Sequence, residues 1–251
     1  MEPLDENPTR RFSNRAADYA RYRPSYPDAT IDAILAGLPP PAELTVADIG
    51  AGTGISARLV ADRGPNVFAV EPNEAMRGGA QPHARVRWVD GTAEATGLAT
   101  GAVDLVIVAQ AFHWFDAKVA LPEFRRILRA GGRLAIFWNK RSRDDAFTLG
   151  YRAALEAVDG DAPAERSTFD PATVLASGCF VNLRTHVLTN AQALTEDELI
   201  GRAMSTSTVP REGPRSVELV RLLRALHARH RGADGCATMV YRTEVYVWDA
   251  V

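Results

Sequence analysis

Between residues 44 and 54 the chain runs from an apolar stretch, LTVADI, into Gly50-Ala-Gly-Thr-Gly54 and then into a helical pattern. No other stretch limits the fold as strongly. Gly50, Gly52 and Gly54 allow a tight turn in which backbone can approach a ligand without interference from a Cβ. Free N–H groups at the start of the following helix attract a negative group. A dinucleotide fingerprint reads G-x-G-x-x-G, with pyrophosphate packed on the helix N-terminus. Here the spacing is G-x-G-x-G, and Ile55 stands where that fingerprint has its third glycine. An NAD-binding oxidoreductase is disfavoured on that ground.

Two acids extend the pattern. The runs 67–70 (VFAV) and 86–89 (VRWV) lead into Glu71 and Asp90. A carboxylate at Glu71 can accept both hydrogens of a ribose diol, and charge-assisted hydrogen bonds are the stronger kind. Asp90-Gly-Thr-Ala-Glu94 combines a carboxylate with small residues able to read an adenine edge. The three sites fall at successive strand ends, on the carboxyl edge where open α/β sheets bind ligands.

Further β-branched runs at 103–108 and 133–138 alternate with helical spacing at 55–63 and 117–129. Gly131-Gly132 reads as a helix stop after Arg129. Apolar strands separated by helices form βαβ units in a parallel sheet. Beyond residue 162 the chain holds a strand candidate at 181–188, helices near 195–205 and 216–231, and an alternating strand at 238–248. A long late strand suits an antiparallel addition to a parallel sheet. Loops are expected at 210–214 and 232–235. Nothing marks a linker, so the chain reads as one domain over 1–251. Residues 1–30 form an N-terminal cap, with a helix in 12–27 ending at Pro24. A cofactor-binding core spans about 40–140, and about 141–251 completes the sheet and the acceptor pocket.

Composition removes several function classes. With 29 basic and 31 acidic residues the formal charge is −2, which argues against a nucleic-acid or membrane-surface binder. Residues 1–11 are polar and lack the apolar core of a signal peptide. No run approaches the roughly 20 apolar residues of a membrane span. Cys179 and Cys236 lie far apart in no CxxC pattern, and read as thiols of a reducing compartment. A cytoplasmic protein, monomeric or homodimeric, is the expectation. His227 and His230 are spaced along one helix without a third ligand nearby, so they read as a solvated face and no metal is expected. His83 and His186 are isolated.

Taken in order, these segments resemble the class I S-adenosylmethionine-dependent methyltransferases, in the small-molecule branch with trans-aconitate methyltransferase-like members. DIGAGTG is similar to the family's glycine-rich motif and VFAVEPNEAM to its acidic strand-2 loop. VDGTAEATGL resembles the adenine-contacting loop, VDLVIVAQAFHWFD the strand-4 motif and LRAGGRLAIFWN the strand-5 motif. Ala130 stands where the family usually has proline. The likeness covers about residues 12–140 well and the remainder more loosely.

The resemblance implies a Rossmann-like, doubly wound α/β fold: seven mostly parallel strands, the last antiparallel, with an N-terminal helical cap. It implies S-adenosyl-L-methionine as cofactor, S-adenosyl-L-homocysteine as product, and methyl transfer to O, N or C of a small-molecule acceptor, in a secondary-metabolic setting. Asp48, Gly50, Ala51, Gly52, Glu71, Pro72, Asp90, Gly91, Thr92, Ala93 and Gln110 would line the cofactor site. From the cap, Tyr22 and Arg23 would join them, the arginine opposite the cofactor's carboxylate. An alternative keeps the same cofactor as scaffold for a cyclase or isomerase, and a protein acceptor stays open.

Transfer from a sulfonium is an in-line displacement, so alignment alone can contribute roughly 7–11 kcal/mol. Where the acceptor must lose a proton, a base adds about 10²–10⁴-fold. His113 in Ala111-Phe-His-Trp-Phe115 is the candidate base; the other reading has it orient the loop or pack beneath the cofactor. Phe112, Trp114 and Phe115 form either a cation-attracting wall or simple core. Tyr19, Trp114, Trp138 and Asn139 are candidates for the acceptor site. Arg141 and Arg143 read as a solvated basic loop or as contacts to an acidic acceptor.

Overall fold

The computed structural model describes residues 16–159, 169–206 and 209–251. The part of the expected cap before Ala16 lies outside the described residues. Helices α1 (Ala16–Tyr22) and α2 (Asp28–Leu35) precede β1 (Thr45–Ile49). There follow α3 (Ile55–Ala61), β2 (Asn66–Val70), α4 (Glu74–Gly78), β3 (Val86–Val89) and β4 (Val103–Ala109). After α5 (Ala117–Ile127) come β5 (Leu128–Arg141), α6 (Ala146–Asp159), α7 (Ala172–Ala176) and β6 (Phe180–Leu194). The chain closes with α8 (Glu196–Met204), α9 (Pro214–His230) and β7 (Ala237–Ala250). Among the described residues no helix is long and apolar enough to cross a membrane.

The seven strands form one sheet in the order β3-β2-β1-β4-β5-β7-β6, parallel but for an antiparallel last strand. The fold is the Rossmann-like, doubly wound arrangement that the strand-helix alternation predicts. The chain divides into two compact units. One comprises residues 25–138, 169–188 and 243–251; the other comprises residues up to 24, 139–168 and 189–242.

In the first unit the central strands β1, β4 and β5 are buried on both faces, and their sequence shows why. Val106, Val108, Leu134 and Ile136 pack with Leu121, Phe124 and Ile127 of α5. Their neighbours Leu105, Ile107, Ala135 and Phe137 pack with Ile31 and Ile34 of α2 and with Ala57 and Val60 of α3. Alternate side chains of a strand point to opposite faces, so two apolar faces require a continuous apolar run. The second unit has its own core, in which Tyr151 and Leu155 of α6 meet Leu199 of α8, Leu219 and Leu223 of α9, and Met239 and Tyr241 of β7. A capping box at Thr195 and Glu198 starts α8.

Two local expectations change. Helix α5 ends at Ile127, and Gly131-Gly132 lies inside β5 rather than at a helix stop. Pairing with β4 jumps from Val103↔Leu128 to Leu105↔Arg133, so residues 129–132 form a bulge. Gly131 supplies the left-handed turn at φ +72, and a Cβ on Gly132 would meet the Arg129 carbonyl at 2.9 Å. His227 is not on a solvated face. It is buried, and its Nε2 lies 3.1 Å from the Leu194 carbonyl.

Candidate functional site

The ends of β1, β2, β3 and β4 are neighbours in the first unit, so their loops form one edge. The turn after β1 starts where the Gly50 and Ala51 N–H groups both donate to the Val70 carbonyl, at 2.9 and 3.1 Å. Gly50, Gly52 and Gly54 all have positive φ, at 67, 58 and 75 degrees. At Gly50 the absent side chain matters as well. A Cβ there would lie 2.8 Å from the Cβ of Ala111 and 3.0 Å from the Phe115 ring. The β1 turn and the β4 loop therefore close on each other through a glycine.

Glu71 ends β2 with 8% exposure. Its Oε2 accepts the Gly52 N–H at 2.9 Å and its Oε1 accepts the Asn73 N–H at 2.9 Å. Burial raises its pKa, opposed by those two hydrogen bonds and by Arg77. Each carboxylate oxygen keeps further lone-pair capacity, since an ionised carboxylate offers about four acceptor sites. The backbone of the glycine turn thus holds the carboxylate in place. Pro72 follows it, and Asn73 caps α4 by accepting the Met76 N–H at 3.2 Å.

Asp48 sits on β1 with no exposed surface. The Ser56 hydroxyl donates to its Oδ2 at 2.6 Å, while its Oδ1 is buried without a hydrogen-bond partner. Burial and the nearby charge of Glu71 push its pKa up to about 7, against the Ser56 and Ala57 hydrogen bonds. The two acids differ in their partners: Glu71 is fixed by two backbone donors, whereas Asp48 has the Ser56 hydroxyl on one oxygen and a buried, unpartnered Oδ1.

After β3, Asp90 is exposed and pairs with Arg77 at 3.1 Å. Gly91 leaves no room for a Cβ, which would meet the Thr96 carbonyl at 2.7 Å. Thr92 N–H donates to the Ala95 carbonyl and Ala95 N–H to the Thr92 Oγ1, a closed turn that buries Ala93. At the end of β4, Gln110 has φ +59, a left-handed conformation that a non-glycine residue adopts at a cost of about 1–2 kcal/mol. Its N–H donates to the Phe137 carbonyl at 3.0 Å. Backbone strain of this kind concentrates at functional sites.

Beyond Gln110, a 3-10 turn over Phe112–Trp114 presents His113 to solvent. The imidazole lies 4.6 Å from the Trp114 ring and 5.4 Å from the Trp138 ring, centroid to centroid. Trp138 is buried, and its Nε1 has no hydrogen-bond partner. Phe112 and Phe115 belong to the core, in edge contact at 6.0 Å.

The remaining expected residues belong to the second unit. Arg23 lies over the Tyr19 ring at 4.6 Å and donates from Nη2 to the Ser205 carbonyl at 3.3 Å. Tyr22 packs against α8 at Gly201, and its carbonyl accepts from Gln192 Nε2 at 3.0 Å. Asn139 Oδ1 accepts from Asn190 Nδ2 at 3.2 Å. Arg141 stacks over the Tyr151 ring at 5.1 Å, so it does not share the solvated character of exposed Arg143.

Sequence reasoning missed Ser56, Asn73 and Arg77, which fix the acids. Asn73 carried a signal, a capping residue before a short helix. It also missed Arg202, a buried arginine of α8 with nothing local to mark it.

Comparison with known proteins finds methyltransferases. Residues 47–136 match the methyltransferase domain family. An uncharacterized methyltransferase of Mycobacterium tuberculosis (strain ATCC 25618 / H37Rv) is 36% identical over 237 residues, covering 90% of each chain. An uncharacterized methyltransferase of Schizosaccharomyces pombe is 29% identical over 207 residues, covering 80% of each. A solved structure from Anaeromyxobacter dehalogenans, a candidate type II methyltransferase, superposes with a TM-score of 0.69 at 27% identity. It covers 90% of this chain and 97% of that one.

Proposed function

Because the chain belongs to the S-adenosylmethionine-dependent methyltransferases, we propose that it transfers a methyl group to O, N or C of a small-molecule acceptor. One observation carries the placement of the cofactor: the Glu71 carboxylate is held by the N–H groups of Gly52 and Asn73 with acceptor capacity to spare.

The residues present fit S-adenosylmethionine. Glu71 accepts from the ribose diol through its remaining lone pairs. Gly50, Ala51 and Gly52 offer backbone with no side chain beyond a methyl group. Asp48 keeps a buried, unpartnered Oδ1 beside that turn. Asp90, Gly91, Thr92 and Ala93, in a closed turn after β3, contact the adenine, and Pro72 and Gln110 complete the rim.

The cofactor supplies a methyl group already activated on a sulfonium, so the protein's part is alignment and, for some acceptors, proton removal. His113 takes that proton. It is solvent-exposed, stands at the β4 end of the same edge, and imidazole is poised to accept a proton near neutral pH. The faces of Trp114 and Trp138 beside it suit a cationic or apolar group. The balanced charge of −2 favours a small acceptor over a nucleic acid.

Incubation with methyl-labelled S-adenosylmethionine and a panel of small acceptors tests the reading. Labelled product is expected with at least one acceptor, and His113→Ala should lower kcat by about 10²–10⁴-fold for acceptors that lose a proton. Consumption of an acceptor without label in its product would instead mark a rearrangement that leaves the methyl group in place.

A further inference from the structure

The second unit contains two cations, buried Arg202 and half-buried Arg23, that make no ion pair with a carboxylate among the described residues. Arg202 of α8 is 3% exposed, and its Nε and Nη1 are buried without hydrogen-bond partners. The Arg23 Nε is also buried and unpartnered. Arg202 and Arg141 repel the Arg23 charge, while Tyr19 and Tyr151 favour it. Burial, and then Arg202, lower the Arg23 pKa to about 10. Around them stand phenols: Tyr19 and Tyr151 near both Arg23 and Arg202, and Tyr241 near Arg202. Tyr151 has no exposed surface, and its hydroxyl has no partner.

Buried guanidinium groups are ordinarily paired, because a desolvated charge without a counter-ion is strongly unfavourable. Here the side chains come from α1, α6, α8 and β7, separate segments whose convergence no local turn demands. Two guanidinium groups, which can only donate, and a phenol O–H that can also donate are the chemistry that receives an oxyanion. Arg23 and Arg141 are half-buried, which leaves the group approachable from their side.

We propose that Arg202, Arg23 and Tyr151 form a receptor for an oxyanion, a carboxylate or phosphate.

The test is calorimetric titration of succinate, of inorganic phosphate and of neutral succinamide. It is run on the protein with and without saturating S-adenosylhomocysteine, in the wild type, Arg202→Met and Tyr151→Phe. The wild type is expected to bind succinate or phosphate and not succinamide, and the anion that binds identifies the group. Arg202→Met should weaken that binding at least tenfold and leave S-adenosylhomocysteine affinity unchanged. Tyr151→Phe should weaken anion binding without lowering the Tm.

Equal binding of succinamide and the anions, or no binding of any of the three, overturns the proposal. A fall in S-adenosylhomocysteine affinity in Arg202→Met also overturns it, by assigning the site to the cofactor's own carboxylate. So does a lower Tm with anion binding intact, which makes the guanidinium structural. Failure of the wild type to bind S-adenosylhomocysteine would contradict the methyltransferase reading instead. The cofactor-free titrations would still decide the anion site.

Discussion

Asp48 and Glu71 lie at the ends of consecutive strands, and burial raises the pKa of both. In the folded chain Asp48 titrates at about 7, against an ordinary value of 3.8. Between those values the folded state keeps the proton while the unfolded chain loses it. Stability from this group therefore falls as pH rises through that window, and is level above it. Asp48→Asn removes the dependence while keeping an oxygen to accept from Ser56. Its stability relative to wild type should grow between pH 5 and 8 by on the order of 2–4 kcal/mol, read by urea denaturation at each pH. A pH-independent difference would mean that Asp48 is already ionised at pH 5. Gly50 is the second residue with a sharp consequence. Gly50→Ala combines a strained φ of 67 degrees with a clash on Ala111, and should destabilise by about 1–3 kcal/mol. Because the β1 turn and β4 loop must then part, the variant should also bind S-adenosylhomocysteine more weakly, which the same calorimetry reads.

Elements were legible in the sequence where burial was simple. Strands β1 to β4 lie within about one residue of their apolar runs, because apolar residues dominate each run and a single charged residue in β1, β3 or β4 does not break it. β5 and β6 are longer than their apolar segments. β6 alternates exposed and half-buried residues for most of its length, so only its 181–188 part resembles a strand in the sequence. Gly131-Gly132 reads equally as helix stop and as bulge, since a left-handed glycine serves both. The edge proposed for the cofactor is legible because backbone and strand-end acids carry it, at short and regular spacing. The arginine group is not, since its members come from α1, α6, α8 and β7 and meet only in the fold. Arg133 was likewise taken simply as part of a strand. It is a buried cap on α2: its Nη1 donates to the carbonyls of Ile34 and Ala36 at 2.7 and 2.8 Å. Arg133→Met should lower unfolding free energy by about 1.5–3 kcal/mol with an unchanged urea m-value. Retained stability would show that water replaces the guanidinium at that helix end.

At the scale of the whole molecule, neither compact unit is a continuous stretch of chain, and β5, β6 and β7 each contribute residues to both. The residues expected from the sequence to serve the cofactor from the sheet all lie in one unit. Tyr19, Tyr22, Arg23 and Asn139 lie in the other. A ligand that binds only the folded state stabilises it by mass action, by about 2.7 kcal/mol at one hundred times its Kd. S-adenosylhomocysteine should therefore raise the Tm of the full chain, and NAD should not. The central claim is that Glu71, positioned by the glycine turn, holds the ribose of an adenosine-containing sulfonium. Calorimetric titration of S-adenosylhomocysteine into wild type and Glu71→Ala tests it most directly. The account predicts binding of one molecule per chain, weakened in the variant by about 1.5–3 kcal/mol, roughly ten- to a hundred-fold. Equal affinity in the two proteins would contradict it.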